Sequence, residues 1–293
     1  MHPTRRTLCR SLLAAPLLLP MRPAMAAAEP DLEALERRIG GRIGVAAGSV
    51  DRVLLQHRAD TRFPMCSTFK VLAAAAVLAR VDAGSEQRDA PVSYRADALL
   101  SYAPVTRKAL ETQGGAGRLS VAELCAAALE WSDNTAANLL LARLGGPEGL
   151  TVWLRNTGDP VTRLDRDEPT LNTAIPGDPR DTTTPEAMRA TLGRILLGTV
   201  LAPPSRARLE GWMVGSQTGF KRLRAGLPKD WTVGDKTGTG DNGTFNDVAI
   251  LRPPGRAPVT VAVYITGSTL PVEAVDSVHA EIGRLIAARI VAA

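Results

Sequence analysis

The spacing of apolar residues predicts an amphipathic helix near the start of the folded chain. Leu32, Leu35 and Ile39 recur at helical intervals after Asp31, and the pair Gly40-Gly41 follows them. Glycine is common just beyond a helix C-terminus, so this helix is expected to end before the pair. Two strand-like runs, RIGVAAGSV and RVLLQHR, come next.

A second predicted helix is apolar on every side. From Val71 to Val81 each residue is Ala, Leu or Val except Arg80, a pattern typical of a helix buried all round. Ser67 and Lys70 stand three residues apart and share one face of its first turn. Burial favours the neutral form of a lysine, so Lys70 is a candidate base for activating the Ser67 hydroxyl. A chance Ser-x-x-Lys is the alternative.

The middle of the chain continues as helices. Ser120 and Glu123 form a capping box at the start of LSVAELCAAALEW, and NTAANLLLARL stops at Gly145-Gly146. Thr184-Pro185-Glu186 begins a further helix. The segment 157–184 between them lacks periodicity, and we expect an Ω-type loop over 163–181.

The last third of the chain returns to strands. WTVGDKT, NDVAILR and VTVAVYIT predict three strands, and VEAVDSVHAEIGRLIAARIV predicts a final helix. Strands at both ends with helices between them indicate an α/β (α+β) fold. We expect an antiparallel sheet flanked by helices over 27–61 and 209–293, an inserted all-helical domain over 62–208, and the active site between them.

The N-terminus is typical of an export signal. Residues 1–26 contain the pair Arg5-Arg6, the apolar run SLLAAPLLLP and an A-x-A site at Ala24-Met25-Ala26. A twin-arginine signal and an ordinary secretory signal both fit. We therefore expect an exported, periplasmic protein, with no apolar run in its mature part long enough to span a membrane.

Charge and composition exclude several classes of function. The 293 residues are 45% hydrophobic and 22% charged, as in an ordinary globular chain. Of the formal charge of +5, four units are arginines in residues 1–26, so the charge of the mature chain gives no argument for binding to nucleic acid or a membrane surface. Beyond the leader only His57 and His279 remain, too few for a multi-histidine zinc site or a Ser-His-Asp triad. No metal or cofactor is expected.

A glycine-rich stretch could be mistaken for a nucleotide site. Gly238, Gly240 and Gly243 fit G-x-G-x-x-G after a strand. A dinucleotide fingerprint requires a helix next, whereas a strand follows here, so a hairpin turn is the better interpretation.

Two polar motifs each allow a functional and a structural interpretation. Ser132-Asp133-Asn134 lies between two helices, where it could relay a proton and bind an amide, or simply cap a helix. Lys236-Thr237-Gly238 ends a strand, where it could bind a substrate carboxylate, or protect a sheet edge.

The aperiodic loop adds a third polar group. Glu168 and Asn172 stand four residues apart, and Arg166 could pair with Asp178 or Asp181 to brace the loop. A solvated acidic loop is the alternative.

Taken together and in this order, the motifs Ser-x-x-Lys, Ser-Asp-Asn, Glu-x-x-x-Asn and Lys-Thr-Gly resemble those of the class A serine β-lactamases. The resemblance covers essentially the whole mature chain. It implies a hydrolase of penicillins and cephalosporins that acts on a small-molecule β-lactam, without a cofactor, and we expect a monomer.

The resemblance also implies the roles of the reacting groups. Ser67 would attack the lactam carbonyl, with Lys70 helping to deprotonate it. Ser132 would pass a proton to the departing nitrogen. Glu168, with Asn172, would hold the water that hydrolyses the acyl-enzyme.

Further residues would bind the substrate. Asn134 would bind the side-chain amide, and Lys236 the carboxylate, next to Thr237 and Gly238. The backbone N–H groups of Ser67 and Thr239 would form the oxyanion hole.

Three positions depart from the commonest family pattern or lie at the rim of the cleft. Phe245 stands where many members carry an arginine, and Arg222 matches a site at which others place a compensating one. Tyr102 corresponds to an aromatic residue at the rim. The disulfide partners known in some relatives are absent, so Cys66 and Cys125 are expected to be free.

Two other functions remain open at this point. A penicillin-recognising D-Ala-D-Ala carboxypeptidase and a non-hydrolysing β-lactam sensor would share the serine, lysine and Lys-Thr-Gly motifs. Glu168 and Asn172 argue against both, since those proteins lack the loop that bears the glutamate.

Overall fold

A computed structural model describes residues 29–292, so the predicted export signal at 1–26 lies outside the described residues. Within that range the structure has ten α-helices and nine β-strands. The helices are α1 Pro30–Ile39, α2 Phe69–Asp82, α3 Pro104–Thr112, α4 Val121–Glu130, α5 Asn134–Leu144, α6 Gly146–Asn156, α7 Pro185–Leu196, α8 Pro203–Val214, α9 Leu223–Gly226 and α10 Val272–Ala292. The strands are β1 Arg42–Gly48, β2 Val53–His57, β3 Phe63–Pro64, β4 Pro91–Tyr94, β5 Gly117–Ser120, β6 Thr182–Thr183, β7 Thr232–Gly240, β8 Thr244–Arg252 and β9 Val259–Thr266.

The main sheet is antiparallel and is built from both ends of the chain. Its five strands lie in the order β2-β1-β9-β8-β7, so the early strand β1 is hydrogen-bonded to the late strand β9. Two-stranded pairs, β3 with β6 and β4 with β5, lie outside it. The expected α/β class, with strands from both termini, is confirmed.

The sheet separates two hydrophobic cores because successive side chains of a strand point to opposite faces. On β9, Ala262 and Tyr264 belong to the larger core, which contains α2, α4 and α5. Val261 and Val263 belong to the smaller core with α1 and α10. The final helix and the first helix therefore cover one face, and the helical middle of the chain covers the other.

Helix α2 lies inside the larger core, as its composition predicts. Residues 69–78 are all buried, and Lys70 is among them. A helix surrounded by other elements is held from every side, so its N-terminal turn is a rigid place for reacting groups.

Several sequence signals are confirmed and some elements were not predicted. Ser120 and Glu123 form the predicted capping box of α4, and Thr184 caps α7. The glycine-rich stretch is the hairpin between β7 and β8, with Gly240 opposite Thr244. Helices α3, α6, α8 and α9 and the short strands β3, β4, β5 and β6 have no counterpart in the sequence prediction.

The domain division needs one correction. A boundary between residues 208 and 209 would cut through α8, a continuous helix over Pro203–Val214. The limits 27–61, 62–208 and 209–293 otherwise stay predictions. Among the described residues no helix is both long and apolar enough to cross a bilayer.

Candidate active site

Ser67 lies at the entrance to α2, where the larger core meets the sheet. It occupies a single 3₁₀ turn, Cys66–Thr68, that runs directly into the helix. Cys66 has a φ of 46°, an uncommon value for a residue with a side chain. The Ser67 hydroxyl donates to Oε1 of Glu168 at 3.3 Å, so the first serine motif and the loop carboxylate meet.

Lys70 lies one turn later, fully buried. Its Nζ is 2.9 Å from Oε1 of Glu168, and it donates to the backbone oxygen of Ser132 at 2.8 Å and to Oδ1 of Asn134 at 2.5 Å. Burial lowers the pKa of Lys70, and the charge of Glu168 opposes that shift. An ammonium in this setting releases its proton more readily than a solvated one.

The Ser132-Asp133-Asn134 motif caps a helix and also lies beside Lys70. Asp133 caps α5 by accepting from the N–H of Ala136. The side chains of Ser132 and Asn134 contact Lys70 instead. The functional and the capping interpretations are therefore compatible, because they use different residues of the motif.

Lys236 and Lys70 both contact the Ser132 hydroxyl. The Nζ of Lys236 donates to Ser132 Oγ at 3.0 Å and to the backbone oxygen of Thr237 at 2.8 Å, while Lys70 Nζ lies 3.3 Å from the same hydroxyl. Burial, followed by the charge of Lys70, lowers the pKa of Lys236 to about 7. The interpretation as a protective edge lysine is wrong: β7 is an edge strand, but this side chain is completely buried.

The C-terminal end of β7 lies against the turn that contains Ser67. A Cβ at Gly238 would lie 2.8 Å from the backbone oxygen of Met65, so only glycine allows this close approach. The hydroxyl groups of Thr237 and Thr218 form a hydrogen bond at 2.7 Å. Thr239 is exposed at the mouth of the site.

Glu168 is buried at the inner side of the Ω loop. Asn172 donates from Nδ2 to Glu168 Oε2 at 2.5 Å, and its own Oδ1 is buried without a hydrogen-bond partner in the described protein. The loop is braced by Arg166, whose Nε lies 2.6 Å from the Asp181 carboxylate. Of the two predicted partners the structure thus selects Asp181, since Asp178 pairs with Arg180.

These groups surround a cleft of about 370 Å³. Its lining residues are Ser67, Tyr102, Ser132, Asn134, Asn172, Thr218, Arg222, Thr237 and Thr239. Tyr102 is 51% exposed, as befits a rim position. Within residues 29–292, no cluster of His, Cys, Asp and Glu could hold a metal ion.

Comparison with known proteins agrees with this geometry. A family model described as the β-lactamase enzyme family matches residues 27–290. β-Lactamase Toho-1 of Escherichia coli is 50% identical over 239 residues, which cover 81% of this chain and 80% of that protein. β-Lactamase CTX-M-8 of Citrobacter amalonaticus is 47% identical over 269 residues, 90% of this chain and 91% of that protein. The structure of the class A β-lactamase of the last common ancestor of Gram-negative bacteria is 58% identical, with a TM-score of 0.85, over 88% of this chain and 97% of that one.

The chain belongs to the class A serine β-lactamases. It is a β-lactamase, like the relatives that it matches over most of its length, so the carboxypeptidase and the sensor are set aside.

Arg222 of this β-lactamase is buried and lines the cleft. Its Nη1 donates to the backbone oxygens of Gly238 at 2.8 Å and Asn246 at 2.7 Å, and its Nη2 to Thr239 Oγ1 at 2.7 Å. Its Nε donates to Asp276 at 3.0 Å. The guanidinium therefore braces β7 and β8 while it faces the cleft.

The two cysteines of the β-lactamase that lie in residues 29–292 are free and buried, as expected. Burial raises the pKa of both thiols, Cys66 and Cys125. Neither thiol is set up to be a reactive nucleophile.

Sequence reasoning missed two residues that hold the β-lactamase site together. Asn138 binds both backbone groups of Glu168, donating to its oxygen at 2.9 Å and accepting from its N–H at 3.0 Å. Asp276 neutralises part of the charge of Arg222. Asn138 lies one helical turn after Asn134 on α5, which was the available signal, whereas Asp276 lies in α10 with no motif around it.

Proposed function

We propose that Ser67 Oγ attacks the β-lactam carbonyl of penicillins and cephalosporins and carries the acyl group. The C–N bond of the lactam breaks as the ester forms. The proton leaves Ser67 for Lys70 or, through a water, for Glu168, and Ser132 delivers a proton to the departing nitrogen. Lys236 then reprotonates Ser132 or supports it electrostatically.

Binding and charge stabilisation come from groups on β7 and on the helices and turns around Ser67. The N–H groups of Ser67 and Thr239 receive the carbonyl oxygen as it becomes an oxyanion, and one such donor typically contributes ~3 kcal/mol. Asn134 binds the acylamino side chain. Arg222 and Lys236 attract the substrate carboxylate, and Thr237 and Gly238 line its path.

Deacylation uses the Ω loop. A water held by Glu168 and Asn172 gives a proton to Glu168 and its oxygen to the ester carbon, and Ser67 leaves with a proton. The unpaired Oδ1 of Asn172 supports this role, because it can accept a hydrogen bond from such a water.

One observation carries the proposal. A single carboxylate oxygen, Oε1 of Glu168, lies 3.3 Å from the Ser67 hydroxyl and 2.9 Å from Lys70 Nζ. A carboxylate within reach of both the nucleophile and its lysine can serve in both half-reactions.

The test separates acylation from deacylation. Glu168→Gln is expected to leave a long-lived penicilloyl adduct on Ser67, visible as a persistent mass increase, whereas the unaltered enzyme loses β-lactam absorbance and recovers its mass. Asp167→Asn is the control, since it removes an exposed carboxylate one residue away and should turn over normally. Rapid loss of the adduct from Glu168→Gln would show that this water is activated elsewhere.

We further propose that the mature protein is a periplasmic monomer. The basis is the leader-like composition of residues 1–26 and a cleft formed by one chain alone. Cell fractionation and size-exclusion chromatography with light scattering test the two statements separately.

A further inference from the structure

Two neighbouring residues of the turn between β7 and β8 are hydrogen-bonded to the Ω loop. The backbone N–H of Asp241 donates to the oxygen of Asn172 at 2.8 Å. The side-chain Nδ2 of Asn242 donates to the oxygen of Thr173 at 2.9 Å and lies 3.4 Å from that of Ala174. We call these contacts the turn clasp. Only the part made by Asn242 depends on a side chain.

The turn clasp binds the segment that contains Asn172, which together with Glu168 forms the proposed deacylation pair. Asn172 and Thr173 share one 3₁₀ turn, and Asn172 is the residue that donates to Glu168. Thr173 also receives a hydrogen bond on its Oγ1 from Nη1 of Arg166 at 3.0 Å. The turn is thus held by Arg166 from inside the loop and by Asn242 from the sheet.

The other side of the clasp continues into β7. A Cβ at Gly240 would lie 2.6 Å from the backbone oxygen of Asn172, so glycine lets strand and loop touch. Thr239, the proposed oxyanion donor, is the preceding residue. The clasp therefore joins the strand that holds the ester carbonyl to the loop that holds its attacking water.

The side-chain amide of Asn242 can be removed without changing the backbone conformation of the turn. Asn242 has a φ of 52° and Gly243 a φ of 60°. Asparagine is among the few residues with side chains that adopt this conformation readily, and glycine adopts it at no steric cost. Replacing Asn242 with glycine therefore removes the hydrogen bond without straining the turn.

We propose that Asn242 is a positioning residue for deacylation. Its amide fixes the 3₁₀ turn against β7, so that Asn172 and Glu168 hold the water in line with the ester on Ser67. Asn242 is exposed and does not line the cleft, so it acts through Asn172. The inference rests on the proposed deacylation by the Glu168-bound water.

Two variants test the proposal. Asn242→Gly deletes the donor. Asn242→Asp places a carboxylate against two carbonyl oxygens while keeping the side-chain shape and the tolerance of positive φ. Single-turnover and steady-state kinetics with a penicillin, followed by intact mass, should show a deacylation rate constant lowered by about threefold to tenfold, the range that one hydrogen bond supports. The acylation rate constant should be unchanged, so the acyl-enzyme fraction rises, and Asn242→Asp should show the larger effect.

Asn156→Asp is the matched control because it adds the same charge at an exposed asparagine at the end of α6. It should alter neither rate constant. Equal losses of acylation and deacylation in folded Asn242 variants, or no loss, would overturn the positioning role. Failure of Glu168→Gln to accumulate an adduct would instead remove the proposed function on which it rests.

Discussion

Replacing Arg222 with alanine should raise the KM for penicillins while changing kcat little. The guanidinium faces the cleft beside Thr239, and the proposed substrate carboxylate would lie against it. A contact that is equally strong in the bound substrate and in the transition state contributes to KM rather than to kcat.

The expected magnitude follows from the partners of Arg222. A hydrogen bond to a charged group contributes about 1.5–3 kcal/mol. The Asp276 carboxylate, 3.0 Å from Nε, already offsets part of the positive charge, so the low end applies. About 1.5 kcal/mol corresponds to roughly a tenfold increase in KM.

The assay is steady-state hydrolysis of a penicillin, followed by absorbance, with thermal unfolding measured in parallel. Unfolding matters because the alanine variant leaves the oxygens of Gly238 and Asn246 without their donor, at about 1–3 kcal/mol for each buried group. Arg222→Lys keeps the charge and should recover much of the KM. Asp276→Asn frees the guanidinium and should lower KM slightly. An unchanged KM in folded Arg222→Ala would refute the assignment.

Two further predictions concern charge and stability. Burial lowers the pKa of Lys236 to about 7, so the side chain is charged below that pH and neutral above it. The kcat/KM for an anionic substrate should therefore fall as the pH rises through neutrality. A pH profile of kcat/KM for Lys236→Arg should show this descending limb at higher pH. Asp133→Ala should lower the free energy of unfolding by about 3 kcal/mol in urea titrations, because the α5 cap and the N–H groups of Val105 and Thr106 lose their acceptor. Ser120→Ala, the loss of one exposed cap, should cost only about 1 kcal/mol, and equal effects of the two changes would contradict this reasoning.

The sequence predicted the elements whose signals come from residues close together along the chain. The all-apolar run of α2, the capping box at Ser120 and the strand-like runs after residue 230 each depend on neighbours along the chain. Helices α6 and α8 were missed because proline and glycine near their starts resemble loop signals, although proline fits the first helical turn. Their burial is decided by packing rather than by periodicity.

The candidate site shows the same division. The four motifs supplied the candidate reacting groups, because each is a short string of fixed spacing. The supporting contacts are long-range: Asn138 meets Glu168 across 30 residues, and Asp276 meets Arg222 across 54. No local pattern marks such partners, and only the folded chain brings them together.

The pairing of β1 with β9 has a consequence for how the protein is made. Arg42 lies opposite Thr266, so the first strand synthesised waits for almost the whole chain before it finds its neighbour. A product that stopped at Arg252, the end of β8, would carry every catalytic motif and yet lack the central strand of its sheet. Its unpaired strand edges would favour aggregation. Premature termination late in the message should therefore abolish resistance as completely as termination early in it.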